Sequence, residues 1–235
     1  MAQDTKNTIN SEPLGRKALQ EWEQSEIDKI VSNIFGDIAL QIGTSQNTRL
    51  LQESRIINKI TLDNTGTPSV LAQFDSIPIL SDSVDLVVLP HILESSPQPK
   101  FILQEVHRTL RPGGSIVLTV FNPWSFWGIH QVISGNTDLG IPLSRIKDWM
   151  NLFGLHIIRG SFGCYRPLTG NRGLHERLEF LERMGNRWWP LAGSVYIVCA
   201  IKEVSGMTLI MKNRWRNDRN PDRMLTTVCR RKIKD

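Results

Sequence analysis

The chain has 235 residues, 40% hydrophobic and 22% charged, which suits one globular domain with a sizeable core and leaves little room for a second. Its three cysteines, Cys164, Cys199 and Cys229, lie far apart with no C-x-x-C pair, so neither a disulfide framework nor a metal site is expected, and a reducing cytoplasm is the expected compartment. The net charge of +5 is local: residues 211–235 hold nine Lys or Arg against three Asp, a balance of +6, so residues 1–210 sum to −1.

The start, MAQDTKNTINSEPLG, is polar and lacks the apolar core of a signal peptide, and residues 1–13 read as a flexible N-terminus. Residues 14–205 read as the domain. From Gly15 to Phe35 the spacing of Leu19, Trp22, Ile27, Ile30, Val31 and Ile34 predicts a helix stopped by Gly36. A strand is expected at Ile38–Ile42 ending at Gly43, a short helix at Thr44–Glu53, and a second strand at Ile57–Leu62 ending at Asp63. Val70–Phe74 reads as a short strand. Val84–Leu89 is nearly continuous in apolar residues, as in a strand covered on both faces.

Pro99 fits the first turn of a helix running to Leu110, with Ile102, Leu103, Val106 and Leu110 on one side. Arg111-Pro112-Gly113-Gly114 reads as the turn that ends it, before a strand at Ile116–Phe121. Ser144–Phe153 is amphipathic and capped by Gly154, followed by a strand at His156–Arg159. A helix is expected near Leu174–Met184 and a last strand at Val195–Ile201, where Cys199 reads as a buried core thiol. The longest apolar run, Pro190–Ile201, falls well short of the roughly 20 residues of a spanning helix, so no transmembrane segment is expected. Residues 206–235 form a basic tail, read as a solvated end rather than a nucleic-acid site; the stretch 211–235 is the one candidate for RNA or an anionic surface.

Alternating strands and helices predict an α/β fold of Rossmann-like type, a seven-stranded, mostly parallel sheet with helices on both faces. Ligands bind such sheets beyond the carboxyl ends of the strands, where the strand order reverses. That directs attention to Gly43, Asp63, Phe74–Ser76, Leu89–His91 and Phe121–Pro123.

The stretch FDSIPILSDSVDLVVLPHILESSPQPKFILQEVHRTLRPGGSIVLTVF, residues 74–121, resembles the central block of class I S-adenosylmethionine (SAM) methyltransferases of the small-molecule type. IPI, DSVDLVV, LQEVHRTLRPGG and SIVLTVF match in order and spacing. FNPWSFWG and LERMGNRWWPLAGSVYIVCAIK are similar to a proteobacterial subgroup of methyltransferase-like proteins, and the likeness extends over residues 15–205. The family carries an acidic residue and three alternating glycines in its first loop. Here the loop reads Gln41-Ile42-Gly43-Thr44-Ser45-Gln46-Asn47, keeping Gly43 alone.

The resemblance implies SAM as cofactor, with Phe74 and Asp75 at the adenine and Leu89, Pro90 and His91 near the methyl donor. Asp63, 20 positions after Gly43 at a strand end, suits a ribose diol by its own chemistry, and equally suits a turn beside Asn64 and Gly66. Asp75 is either an adenine-amine acceptor or a surface carboxylate. His91 is either a general base or a partner of a loop carbonyl. Asn122, Trp124 and Trp127 either line an acceptor pocket or pack an insertion onto the sheet. Asp82 and Asp85 read as structural rather than as an acid–base pair. The leading expectation is SAM-dependent methyl transfer to a small-molecule or lipid-like acceptor. The alternative is a non-catalytic scaffold that lost tight SAM binding with its glycines. A dinucleotide-dependent oxidoreductase lacks its G-x-G-x-x-G register here.

Overall fold

The computed structural model describes residues 14–43, 50–125, 140–165 and 193–203. In chain order the elements are helix α1 (Leu14–Val31), strands β1 (Ile38–Ile42), β2 (Asn58–Asp63), β3 (Val70–Leu71) and β4 (Val84–Pro90), then helices α2 (Ile92–Ser95) and α3 (Pro99–Thr109). Strand β5 (Leu110–Phe121), helix α4 (Leu143–Leu152), and strands β6 (Leu155–Gly163) and β7 (Val195–Lys202) complete the sheet. Its order is β3-β2-β1-β4-β5-β7-β6. All pairings from β3 to β5 are parallel, and β7 runs antiparallel to both β5 and β6. The expected α/β architecture is therefore present, mostly parallel, with one reversed strand inserted beside β5.

Side-chain parity along the strands divides the core between two faces. Leu40, Ile42, Val87, Leu89, Ile116 and Leu118 pack with Ile102, Leu103 and Val106 of α3 and with Ile146 and Met150 of α4. Ala39, Leu86, Val88, Val117, Ile197 and Cys199 pack on the other face against Ile27, Ile30 and Val31 of α1. Cys199 is a buried core thiol as expected, and burial pushes its pKa up to about 11. No helix among the described residues is long and apolar enough to cross a membrane.

Several boundaries differ from the sequence reading. Helix α1 ends at Val31, and the chain to Ile34 tightens through i→i−3 bonds, Asn33 N–H to Ile30 O and Ile34 N–H to Val31 O, both 3.2 Å. Leu50–Glu53 lie in turns rather than in a helix, and the rest of that predicted helix falls outside the described residues. Strand β3 is two residues long because the chain turns at Phe74 and Asp75. Arg111–Gly114 do not leave the sheet as a turn: Leu110 already pairs with Val84, and the ladder resumes at Ser115 with Leu86, so these residues form a bulge inside β5. The helix predicted near Leu174–Met184, residues 1–13 and the basic tail lie outside the described residues.

Asp85 and Asp82 have separate structural partners. Asp85 Oδ2 accepts from the amides of Asp37 (2.7 Å) and Ile38 (3.1 Å), while its Oδ1 accepts from Arg111 (2.8 Å), fastening the start of β1 to the β5 bulge. Asp82 pairs with Lys202 Nζ at 2.6 Å, and the same ammonium donates to the carbonyls of His107 and Leu110 at the end of α3.

Candidate functional site

Between β1 and β4 the chain reverses its direction of travel across the sheet, since β2 and β3 lie to one side and β4 and β5 to the other. A crevice must open there at the carboxyl ends of the strands. The structure has a cleft of about 1080 Å³ at that place, and Gly43, Asp63, Phe74, Asp75, Pro90 and His91 all line it. Six sequence-predicted residues from four strand ends thus share one wall. Leu89 does not: it is fully buried in the core, because its parity in β4 turns it toward α3.

Gly43 has φ +81°, and a Cβ there would overlap the Ile92 side chain, so two independent constraints call for glycine. Its amide donates to Leu62 O at 2.7 Å, holding the end of β1 against β2. Gln41 is buried and donates through Nε2 to Gly43 O at 3.1 Å, so this amide ties down the first residue of the loop. Thr44–Arg49 fall outside the described residues. Asp63 is 7% exposed at the last position of β2, and its Oδ1 accepts from Asn64 N–H (2.7 Å) and Thr65 N–H (3.4 Å). It is thus both a turn-former and a carboxylate on the cleft wall. Phe74 is half-buried against the core and Asp75 is exposed.

His91 follows β4 in the left-handed region, φ 52° and ψ 20°. Its Nε2 lies 2.6 Å from Glu23 Oε1 of α1 and its Nδ1 lies 2.8 Å from Glu94 Oε1 of α2. Ionised carboxylates only accept, so both ring nitrogens donate and the ring is an imidazolium. Burial alone would lower its pKa, but the two hydrogen bonds and the two nearby charges outweigh burial and raise it to about 10. The ring also stacks on Phe121, centroids 4.2 Å apart. Glu94 Oε1 accepts in addition from Phe121 N–H at 2.8 Å. This corrects both readings of His91. It binds no loop carbonyl through its ring, and a cation with both nitrogens engaged is unsuited to accept a proton as a general base.

Glu23 and Glu94 were missed from sequence, although each left a signal. Glu23 falls midway between Leu19 and Ile27 on the buried stripe of α1, where a carboxylate needs a partner. Glu94 stands three residues after His91.

Asn122 and Trp124, expected either to line an acceptor pocket or to pack an insertion, are not among the residues that line this cleft. Asn122 is buried and occupied: Nδ2 donates to Gly193 O at 3.0 Å, and Oδ1 accepts from Trp124 N–H at 3.2 Å. It fastens the end of β5 to the segment entering β7 and does not line the cleft. Trp124 is 75% exposed, neither in the cleft nor packed on the sheet. Trp127 lies outside the described residues. Among those described, no group of three or more His, Cys, Asp or Glu is arranged to hold a metal.

Residues 41–118, which run from β1 into β5 and contain this cleft wall, match the family model for a methyltransferase domain. Over that stretch, about a third of the chain, the sequence is similar to methyltransferase domains. YafS of Escherichia coli (strain K12) is 24% identical over 223 residues, covering 92% of this chain and 86% of that protein. A SAM-dependent methyltransferase of Thermotoga maritima superposes with a TM-score of 0.59 at 13% identity, over 81% of this chain and 92% of its own. One from Archaeoglobus fulgidus gives 0.57 at 16% identity, over 78% and 94%. At such identities the superpositions establish the fold alone, a Rossmann-like α/β sheet shared with those proteins.

Proposed function

We propose that the chain is a SAM-dependent methyltransferase acting on a small-molecule or lipid-like acceptor. The observation that carries this reading is the convergence of Gly43, Asp63, Phe74, Asp75 and Pro90 on one cleft at the reversal of strand order. The residues fit the cofactor in chemistry and shape. The Asp63 carboxylate accepts from a ribose diol, Phe74 covers an adenine ring, and Asp75 accepts from its exocyclic amine. Gly43 lines the cleft at the end of β1, where Ile92 fills the place a Cβ would take.

When bound, SAM supplies a methyl group already activated on a sulfonium, so the protein's task is mainly alignment and exclusion of water. Pro90 and His91, locked by hydrogen bonds and stacking, give that end of the cleft a rigid wall. His91, with both ring nitrogens engaged by carboxylates, is not set up to take a proton. This suits an acceptor with an available lone pair, which needs no deprotonation before attack. The domain is assigned to residues 14–205 with 206–235 as an appended basic tail, and the protein to the cytoplasm.

The second reading, a scaffold of the same fold without tight SAM binding, is supported by the first loop, which retains Gly43 alone among the family's glycines. Thermal unfolding with and without saturating SAM or S-adenosylhomocysteine (SAH) separates the two. A ligand at 100 times its dissociation constant stabilises the native state by about 2.7 kcal/mol. A clear upward shift supports the enzyme, and no shift in the folded protein supports the scaffold.

A further inference from the structure

The cleft is one-sided in charge. Asp63 and Asp75 stand on its wall, and no Lys or Arg is among the described residues that line it. The one cation among the described residues that line it, His91, is held between Glu23 and Glu94, whose side chains are only 11% and 10% exposed. Two carboxylates against one imidazolium leave an excess of one negative charge. Solvent screens a partly buried charge much less than an exposed one.

The strand order says which part of a ligand meets that charge, given the function proposed above. With adenine at Phe74 and Asp75 and the ribose at Asp63 on β2, the rest of the cofactor runs inward across Gly43 at β1 toward Pro90 and His91 at β4. The sulfur joins the ribose to the amino-acid portion, so it falls on that inward stretch.

We propose that the Glu23–His91–Glu94 network makes the cleft select the cationic methyl donor over its neutral demethylated product. SAM and SAH share adenine, ribose and the amino-acid end, and differ by one methyl and one positive charge. The network is preorganised, because Glu94 Oε1 is anchored by Phe121 N–H and His91 by both carboxylates. It therefore attracts the sulfonium without having to rearrange. Glu23 and Glu94 are positioning residues whose charge sets specificity.

The test is calorimetric titration of the full chain with SAM, SAH and an analogue bearing an amine in place of the sulfonium, on the native protein, Glu94→Gln and Glu23→Gln. Glutamine keeps an Oε1 acceptor for the same hydrogen bonds while removing the charge. Each variant is expected to weaken SAM and the amine analogue relative to SAH by roughly three- to tenfold, less at high salt. If the network were only structural, each variant would lower the melting temperature and weaken all three ligands together. An unchanged SAM-to-SAH ratio in both variants overturns this inference and leaves the proposed function standing. Failure of the folded native chain to bind any of the three overturns the proposed function and this inference with it.

Discussion

His91 should make the stability of this protein fall with rising alkalinity in a way that a single substitution removes. Its pKa of about 10 in the folded chain stands above the 6.5 of the unfolded one. The native state therefore holds a proton that the unfolded state releases, and the resulting stabilisation is complete below pH 6.5. It is lost as pH rises through 10. At 1.36 kcal/mol per unit the full contribution is roughly 4–5 kcal/mol, and about 2–3 kcal/mol of it disappears between pH 7 and 9. The comparison is urea unfolding at pH 7, 8 and 9 for the native chain and His91→Asn. Asparagine tolerates the left-handed backbone at this position, so the substitution removes the charge with little added strain. The native chain's advantage should shrink by about 2–3 kcal/mol over that range. His107, whose pKa is lowered by burial, is common to both proteins and cancels. An advantage that stayed constant from pH 7 to 9 would refute the imidazolium assignment.

Other outcomes follow from single groups. Gly43→Ala adds a left-handed strain of about 1–2 kcal/mol and a clash with Ile92, lowering the melting temperature by roughly 4–12 °C; adding Ile92→Ala should restore part of this in calorimetric scans. Asp63→Ala should weaken SAM and SAH about equally, by roughly tenfold, in titration calorimetry, because it removes a contact to the shared ribose. Unchanged affinities would place the ribose elsewhere. Thr119 Oγ1 is buried with no hydrogen-bond partner among the described residues, so Thr119→Val should raise stability by about 1 kcal/mol in denaturant unfolding. A loss of that size would mean that the hydroxyl has a partner in solution.

The carboxylates of this domain divide by what they face. Asp85 and Asp82 hold backbone amides or a lysine at the amino ends of the strands, remote from the cleft. Asp63 sits at the opposite end of the sheet, where a turn and a ligand site coincide. Glu23 and Glu94 share one histidine, His91, and through it they join α1 and α2 to the ends of β4 and β5.

What the sequence determined by itself is what short-range pattern encodes. The apolar runs of β4 and β7, the spacing of Ile102, Leu103 and Val106, and the alternation of strands and helices fixed the layers of the fold. Residues at strand ends could be placed on one edge because parallel strands all end there, which is why Gly43, Asp63, Phe74, Asp75, Pro90 and His91 were found together. Tertiary structure decided the rest. Burial and side-chain parity kept Leu89 off the wall, and the ladder resuming at Ser115 turned Arg111–Gly114 from a turn into a bulge. Asn122 was committed to Gly193, 71 residues away, and His91 to Glu23, 68 residues away. A side chain's role depends on its partners. Partners separated by tens of residues leave no periodic trace, because their meeting is set by the order in which the strands assemble.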